Sequence, residues 1–340
     1  MPAAVKRVVK RQPASTGIQG LRRVLVAVDF SSGSERGVQR ALRLPLDSPA
    51  NLHVVHVLPS QERRKSRLDR VLESYAAKEL HKIVRAMQRA LRRTGHSDVV
   101  VTSEVRHGAP FEGVVRAARD ANSELIVVGR SGRQGLKHFL LGSTAERVIW
   151  SSPIPVLVAQ EQKPRPYRRL LVAFDESVAA RAAFRAGLRL ADEAARIDVV
   201  RAIDLSHLLT AKQLGASLKR VRELAAREQR EAERGIEKVL AESGATDLDV
   251  RLVVRHGSPS TVILDELRRH KSSLVVLGTH GRTGARRAIL GSAAESVVRR
   301  ASGDVLIARS EAPKPSRARR RTPAADVPTD GSRGGPIMIH

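Results

Sequence analysis

The chain has 340 residues, long enough for two or three domains with cores of their own, and carries a formal net charge of +26. Hydrophobic residues make up 41% of it but aromatic ones only 2%, so its cores must be built from Val, Leu, Ile and Ala, and a base-stacking platform for nucleic acid is disfavoured. Cysteine is absent, which excludes disulfides, thiolate metal sites and thiol catalysis together.

In chain order, residues 1–20 carry four positive charges, no negative ones and no apolar core of signal-peptide length, and read as a flexible basic tail. No apolar run reaches membrane-spanning length, so a cytoplasmic protein without membrane association is expected. The two tails supply only +7 of the charge and the body the remaining +19. With no RNA- or DNA-binding signature beside it, that charge reads as a solvated basic surface.

From residue 21 the pattern alternates. Aliphatic runs of strand length stand at 24–28 (VLVAV), 52–57 (LHVVHV), 99–105 (VVVTSEV), 125–129 (LIVVG) and 154–159 (IPVLVA). Runs apolar on both faces suit a buried parallel sheet, and their alternation with helical segments predicts a doubly wound α/β layer with ligands at the carboxyl ends of the strands. Residues 68–91 place Leu68, Val71, Leu72, Tyr75, Leu80, Ile83, Val84, Met87 and Leu91 at helical spacing, which predicts a helix packing this whole stripe into the core. Gly108-Ala109-Pro110 predicts a strand end followed by proline in a first helical turn, with His107 a polar strand-end residue.

The stretch GRSGRQGLKHFLLGSTAERV begins at Gly129, the end of the fourth aliphatic run; Gly132 follows, then Gly142 opens the helical segment STAERVIW. A helix amino terminus presents unpaired amides and the positive end of a dipole, so Gly142, Ser143 and Thr144 are candidates to hold phosphate oxygens. Ser143 and Glu146 equally fit a capping box, in which case the serine only caps its helix. Arg130, Arg133, Lys137 and His138 lie between these glycines and read as solvated loop charges, a subset of which could attract a polyanion.

The strand runs and the glycine spacing recur. Residues 21–42 align with 167–188 and 106–115 with 255–264, offsets of 146 and 149 residues, the length of a domain. EQKPRPYRR interrupts the pattern, so residues 21–160 and 167–310 are expected to form two repeated domains joined by a linker at 161–166, followed by a disordered basic tail at 311–340. Asp29 and Asp175 close the first strand of each half, where a carboxylate can meet a ribose hydroxyl or an adenine amine, or simply serve a turn. Neither half has the glycine fingerprint of a dinucleotide enzyme or of a P-loop.

The recurring Gly-x2-Gly-x9-Gly-Ser spacing, the aspartate after the first strand, the upstream Gly-x-Pro and the closing PVLVA-type strand together resemble the universal stress protein family in its tandem-domain form, over nearly the whole of both halves. The resemblance implies a five-stranded parallel sheet in each half, of the adenine nucleotide α-hydrolase-like type, and ATP binding. It implies Asp29 and the backbone of Val57 at the adenosine end, Gly129 and Gly132 along the ribose and phosphate path, and Gly142, Ser143 and Thr144 at the phosphates. In the second half Asp175, Ala202, Gly278, Gly281, Gly291, Ser292 and Ala293 occupy the matching positions. Three departures stand out: Arg201 beside Ala202 is expected in the adenine wall, Ala293 lacks the hydroxyl of Thr144, and Asp304 stands where the first half has Pro155.

The expected function is an ATP-binding stress-response regulator with a nucleotide site in each half and no catalytic residues, Mg2+ arriving with the nucleotide if at all and held weakly through Asp29 or Asp175. A slow ATPase or phosphotransferase in the same pocket and a basic nucleic-acid-associated stress protein are the alternatives. The last strands, VLVA at 156–159 and VLIA at 305–308, would be exposed edges unless they pair, which predicts an intramolecular pseudo-dimer and leaves a homodimer open.

Overall fold

The computed structural model describes residues 4–9, 19–59, 67–130, 141–203, 218–243, 248–279 and 291–309. In the first half β2 (Leu21–Ala27), α1 (Ser32–Ala41), β3 (Leu46–Leu58), α2 (Arg67–Arg93), β4 (Val99–His107), α3 (Pro110–Asp120), β5 (Leu125–Gly129), α4 (Ser143–Ser151) and β6 (Val156–Ala159) alternate as the aliphatic runs require. The second half repeats them as β7 (Tyr167–Ala173), α5 (Val178–Leu188), β8 (Ala191–Ile203), α6 (Leu218–Glu242), β9 (Asp249–His256), α7 (Pro259–His270), β10 (Leu274–Gly278), α8 (Ser292–Arg300) and β11 (Asp304–Ala308). Among the described residues no helix is long and apolar enough to cross a membrane.

All strands join one sheet in the order β1-β9-β8-β7-β10-β11-β6-β5-β2-β3-β4, with β1 spanning Ala4–Val9. Within each half the pairing is parallel, and the chain moves outward from β2 through β3 to β4 before returning to β5 on β2's other side. That reversal between β2 and β5, and between β7 and β10, opens a crevice at the carboxyl ends of the strands. The halves join where β6 and β11 run antiparallel, Leu157 opposite Leu306. Each of these short strands thereby gives the other a partner on its otherwise open edge.

Strand alternation divides the core between the two faces. Val24, Val26, Val54 and Val172 pack with α1, α2, α5 and α6, while Leu25, Val55, Leu171 and Val275 pack with α3, α4, α7 and α8. Full burial of each such side chain contributes about 1.5–3 kcal/mol, so a core of small aliphatics holds the sheet with few aromatic rings.

Two expectations are corrected here. Residues 4–9 are not a flexible tail: β1 runs antiparallel along β9, Val5 opposite Val253, and covers the outer edge of the second half. The alternative for those groups of β9 is an open sheet edge, and a Val-rich hexapeptide fills it even with Lys6 and Arg7 at its centre. The apolar stripe of α2 is only partly core: Leu80, Met87 and Leu91 are buried, but Leu68, Val71, Leu72 and Tyr75, in its first turns, are exposed.

Candidate nucleotide site

Asp29 sits just beyond the end of β2, and its Oδ1 accepts from the Ser31 amide at 3.1 Å and from the Ser31 hydroxyl at 2.5 Å. Between them Phe30 takes a left-handed φ of 61°. The second half builds the same turn: Asp175 Oδ1 accepts from the Ser177 amide at 3.0 Å around Glu176 at φ 66°. A non-glycine residue held in this region stores on the order of 1–3 kcal/mol, and two copies of it mark the strand ends as places where the fold holds an imposed geometry. The turn delivers Ser31 and Ser177 as side-chain caps of α1 and α5, accepting from the Ser34 and Ala180 amides. Both aspartates are therefore turn residues at the lip of the crevice.

Gly129 ends β5 beside this turn. A Cβ there would stand 2.2 Å from the Gly33 carbonyl oxygen and 2.7 Å from the Ser34 amide, so glycine lets the start of α1 press onto the strand end. Gly278 does the same for α5, where a Cβ would come within 2.8 Å of the Ala180 amide. The next residue closes the motif: Gly142 donates its amide to the Arg130 carbonyl at 2.7 Å, and Gly291 donates to the Thr279 carbonyl at 2.8 Å. These bonds bring the amino termini of α4 and α8 against the ends of β5 and β10, with Gly142 and Gly291 as N-caps.

Here the capping-box expectation fails. Ser143 and Ser292 are the first helical residues, not caps, and neither helix start has a side-chain cap, whereas α1 and α5 do. Glycine supplies no oxygen, so among the described residues the first-turn amides of α4 and α8 have no capping side chain from the N-cap position, and Ser143, Thr144 and Ser292 beside them are exposed. An anion fits there by dipole and donors alike. The Gly142 and Gly291 amides, by contrast, are already engaged in closing the motif.

Val57 and Ala202 lie one residue from the ends of β3 and β8, and the Val57 side chain packs under α3, where Gly113 lets the helix approach. Arg201, expected in the adenine wall, is buried and paired with Glu228 of α6. Arg130 is not a solvated loop charge. It is buried, its guanidinium donates to Gln160 Oε1, to the Arg299 carbonyl and, at 3.1 Å, to the Ala301 carbonyl, and burial lowers its pKa. Gly132, Gly281, Arg133, Lys137, His138 and residues 311–340 lie outside the described residues. A separate cavity of about 290 Å³, lined by Arg23, Asn51, His53 and Thr102, opens at the amino-terminal ends of the strands, away from this crevice.

The sequence reading also missed what anchors the second half on the first. Arg40 of α1, fully buried, forms an ion pair with Asp304 at 2.6 Å and with Glu161 at 2.7 Å, and lies 4.0 Å over the Tyr167 ring. Asp304 Oδ1 also accepts from the Gln160 and Glu161 amides, and its Oδ2 accepts from the Tyr167 hydroxyl. Burial, then the Asp304 carboxylate, pushes the Tyr167 phenol well above its usual range. The signal was in the sequence: a carboxylate opening an otherwise aliphatic strand needs a buried cation.

Comparison with known proteins identifies the family and the fold. The profile of the Universal stress protein family matches residues 20–160 and again 166–309. Universal stress protein Rv1996 of Mycobacterium tuberculosis is 28% identical over 317 residues, covering 84% of this chain and 94% of its own, and a universal stress protein of Mycolicibacterium smegmatis is 28% identical over 304 residues, covering 84% and 96%. The crystal structure of a universal stress protein from Archaeoglobus fulgidus superimposes with a TM-score of 0.61 at 19% identity, covering 85% of this chain and 98% of that one, a likeness of fold. With two matches that together span nearly all of both halves, the chain belongs to the universal stress protein family.

Proposed function

We propose that each half binds one ATP in the crevice between its first and fourth strands, and that the protein acts as a nucleotide-dependent regulator in a stress response. The observation that carries this reading is the pair of glycine-capped helix starts, α4 and α8, each set against a strand-end aspartate turn. Ser143, Thr144 and the first-turn amides of α4 would take phosphate oxygens, and Ser292 with the α8 amides would do so in the second half, with Ala293 contributing its amide alone. Asp29 and Asp175, with the backbone at Val57 and Ala202, would face the nucleoside. Gly129, Gly142, Gly278 and Gly291 act by shaping the cradle, and Gly132 and Gly281 complete the motif in sequence. Mg2+ accompanying the nucleotide would be held chiefly by phosphate oxygens, with one carboxylate per site to assist. The test is calorimetric titration of the purified chain with ATP, adenosine and GTP: saturable ATP binding supports the reading, and heats no larger than dilution for all three would end it.

A further inference from the structure

The two helix starts are joined by one side chain. Arg299, in the last turn of α8, donates from Nη2 to Glu146 Oε1 at 2.7 Å and from Nε to Glu295 Oε1 at 3.3 Å. Glu146 lies in the first turn of α4 and Glu295 in the first turn of α8, the turns whose amides would receive phosphate. A first-turn glutamate suits a bare helix dipole but repels an incoming polyanion; a guanidinium shared by both glutamates offsets that repulsion in both halves. Beneath it, Arg130 contacts the same junction: its carbonyl holds the Gly142 amide, and its guanidinium donates to the Arg299 carbonyl in the last turn of α8 and to that of the C-cap, Ala301. The cation therefore sits at the negative end of a nine-residue helix whose positive end is the second phosphate cradle. The positions equivalent to Arg130 and Arg299 hold Thr279 and Trp150, neither of which carries charge.

We infer that Arg299, braced by Arg130, positions both phosphate cradles and couples them, so that ATP bound in one half favours ATP in the other. The inference rests on the nucleotide reading above and adds the regulation of that site. Its physical content is shared ordering: the first anion fixes the Glu146–Arg299–Glu295 bridge and the α8 dipole, and the second binds to a junction already fixed. Arg299 and both glutamates are partly exposed, so the direct pair contributes modestly, whereas Arg130 is buried and its bonds are charge-assisted.

The experiment is an ATP titration of the full chain, beside Arg299→Gln, Arg299→Gln with Glu146→Gln and Glu295→Gln, and Arg130→Gln, with adenosine as the uncharged control. The wild-type chain is expected to bind its second ATP about 5-fold or more tightly than its first after statistical correction. Arg299→Gln should lose that difference and weaken ATP several-fold without weakening adenosine, and removing the two glutamates should restore ATP affinity. Arg130→Gln should lose the difference as well, with intact folding checked by circular dichroism. Independent wild-type sites, or coupling that survives Arg299→Gln, would overturn the inference while leaving nucleotide binding standing. A wild-type chain that binds no ATP would overturn the reading beneath it and the inference together.

Discussion

Single residues at the junction of the halves show how charge type selects position. Asp304 is fully buried, and its carboxylate is held by the Arg40 guanidinium, the Gln160 and Glu161 amides and the Tyr167 hydroxyl, bonds that the equivalent Pro155 of the first half has no carboxylate to make. Removing one partner leaves Arg40 buried with an incomplete set of bonds, so Asp304→Ala is expected to destabilise the chain by about 3–5 kcal/mol, read as a shift of the denaturant midpoint. A change below about 1 kcal/mol would show that the cluster relaxes into water. Glu124 gives a pH signature. Burial works to raise its carboxyl, but the Arg22 and Arg23 amides and the Arg189 guanidinium, at 3.1 Å, outweigh burial and hold it below the ordinary glutamate range. A depressed carboxyl stabilises the fold above its unfolded value and loses that contribution as pH falls through its folded one. Glu124→Gln should therefore be less stable than wild type near neutrality, with the deficit shrinking below about pH 4. A deficit constant with pH would assign the loss to packing.

At the scale of elements, the sequence was informative where one periodicity ran uninterrupted. The runs at 125–129 and 154–159 became β5 and β6 almost residue for residue, and Pro110 and Pro259 open α3 and α7 as their fixed φ requires. It was misleading where the deciding partner lies far along the chain. Nothing near Ala4–Val9 announces a strand, because its ladder partner, Val250–Val254, is some 245 residues away. The exposed start of α2 escaped notice because helical spacing reports a face, not whether anything covers it along its whole length. Deleting residues 1–9 should leave the β9 edge open, so the β9 amides are expected to exchange faster with deuterium and the chain to self-associate more readily. Unchanged protection at Val250–Val254 would mean that β1 adds nothing to that edge.

For the whole molecule, the duplicated motif made the fold class and both crevices legible, since the glycines and strand-end aspartates fall at equivalent positions in the two halves. The pairing of the last strands was legible too, but the side-chain contacts across that seam stayed hidden. Arg130 looked like a loop charge because sequence neighbours cannot show that the carbonyl end of α8, 170 residues later, lies against it. One continuous sheet, with β6 on β11, sets the starts of α4 and α8, the proposed phosphate sites, in the two halves that meet at this seam, and Arg299 spans it. The most direct measurement is the number of ATP molecules bound per chain, by calorimetry, for the wild type and for Gly142→Val and Gly291→Val, each of which places a branched side chain at one glycine cap. Two ATP per wild-type chain falling to one in each variant, with both variants folded, is the expected result; no binding by the wild type, or two ATP still bound by both variants, would contradict the placement of the sites.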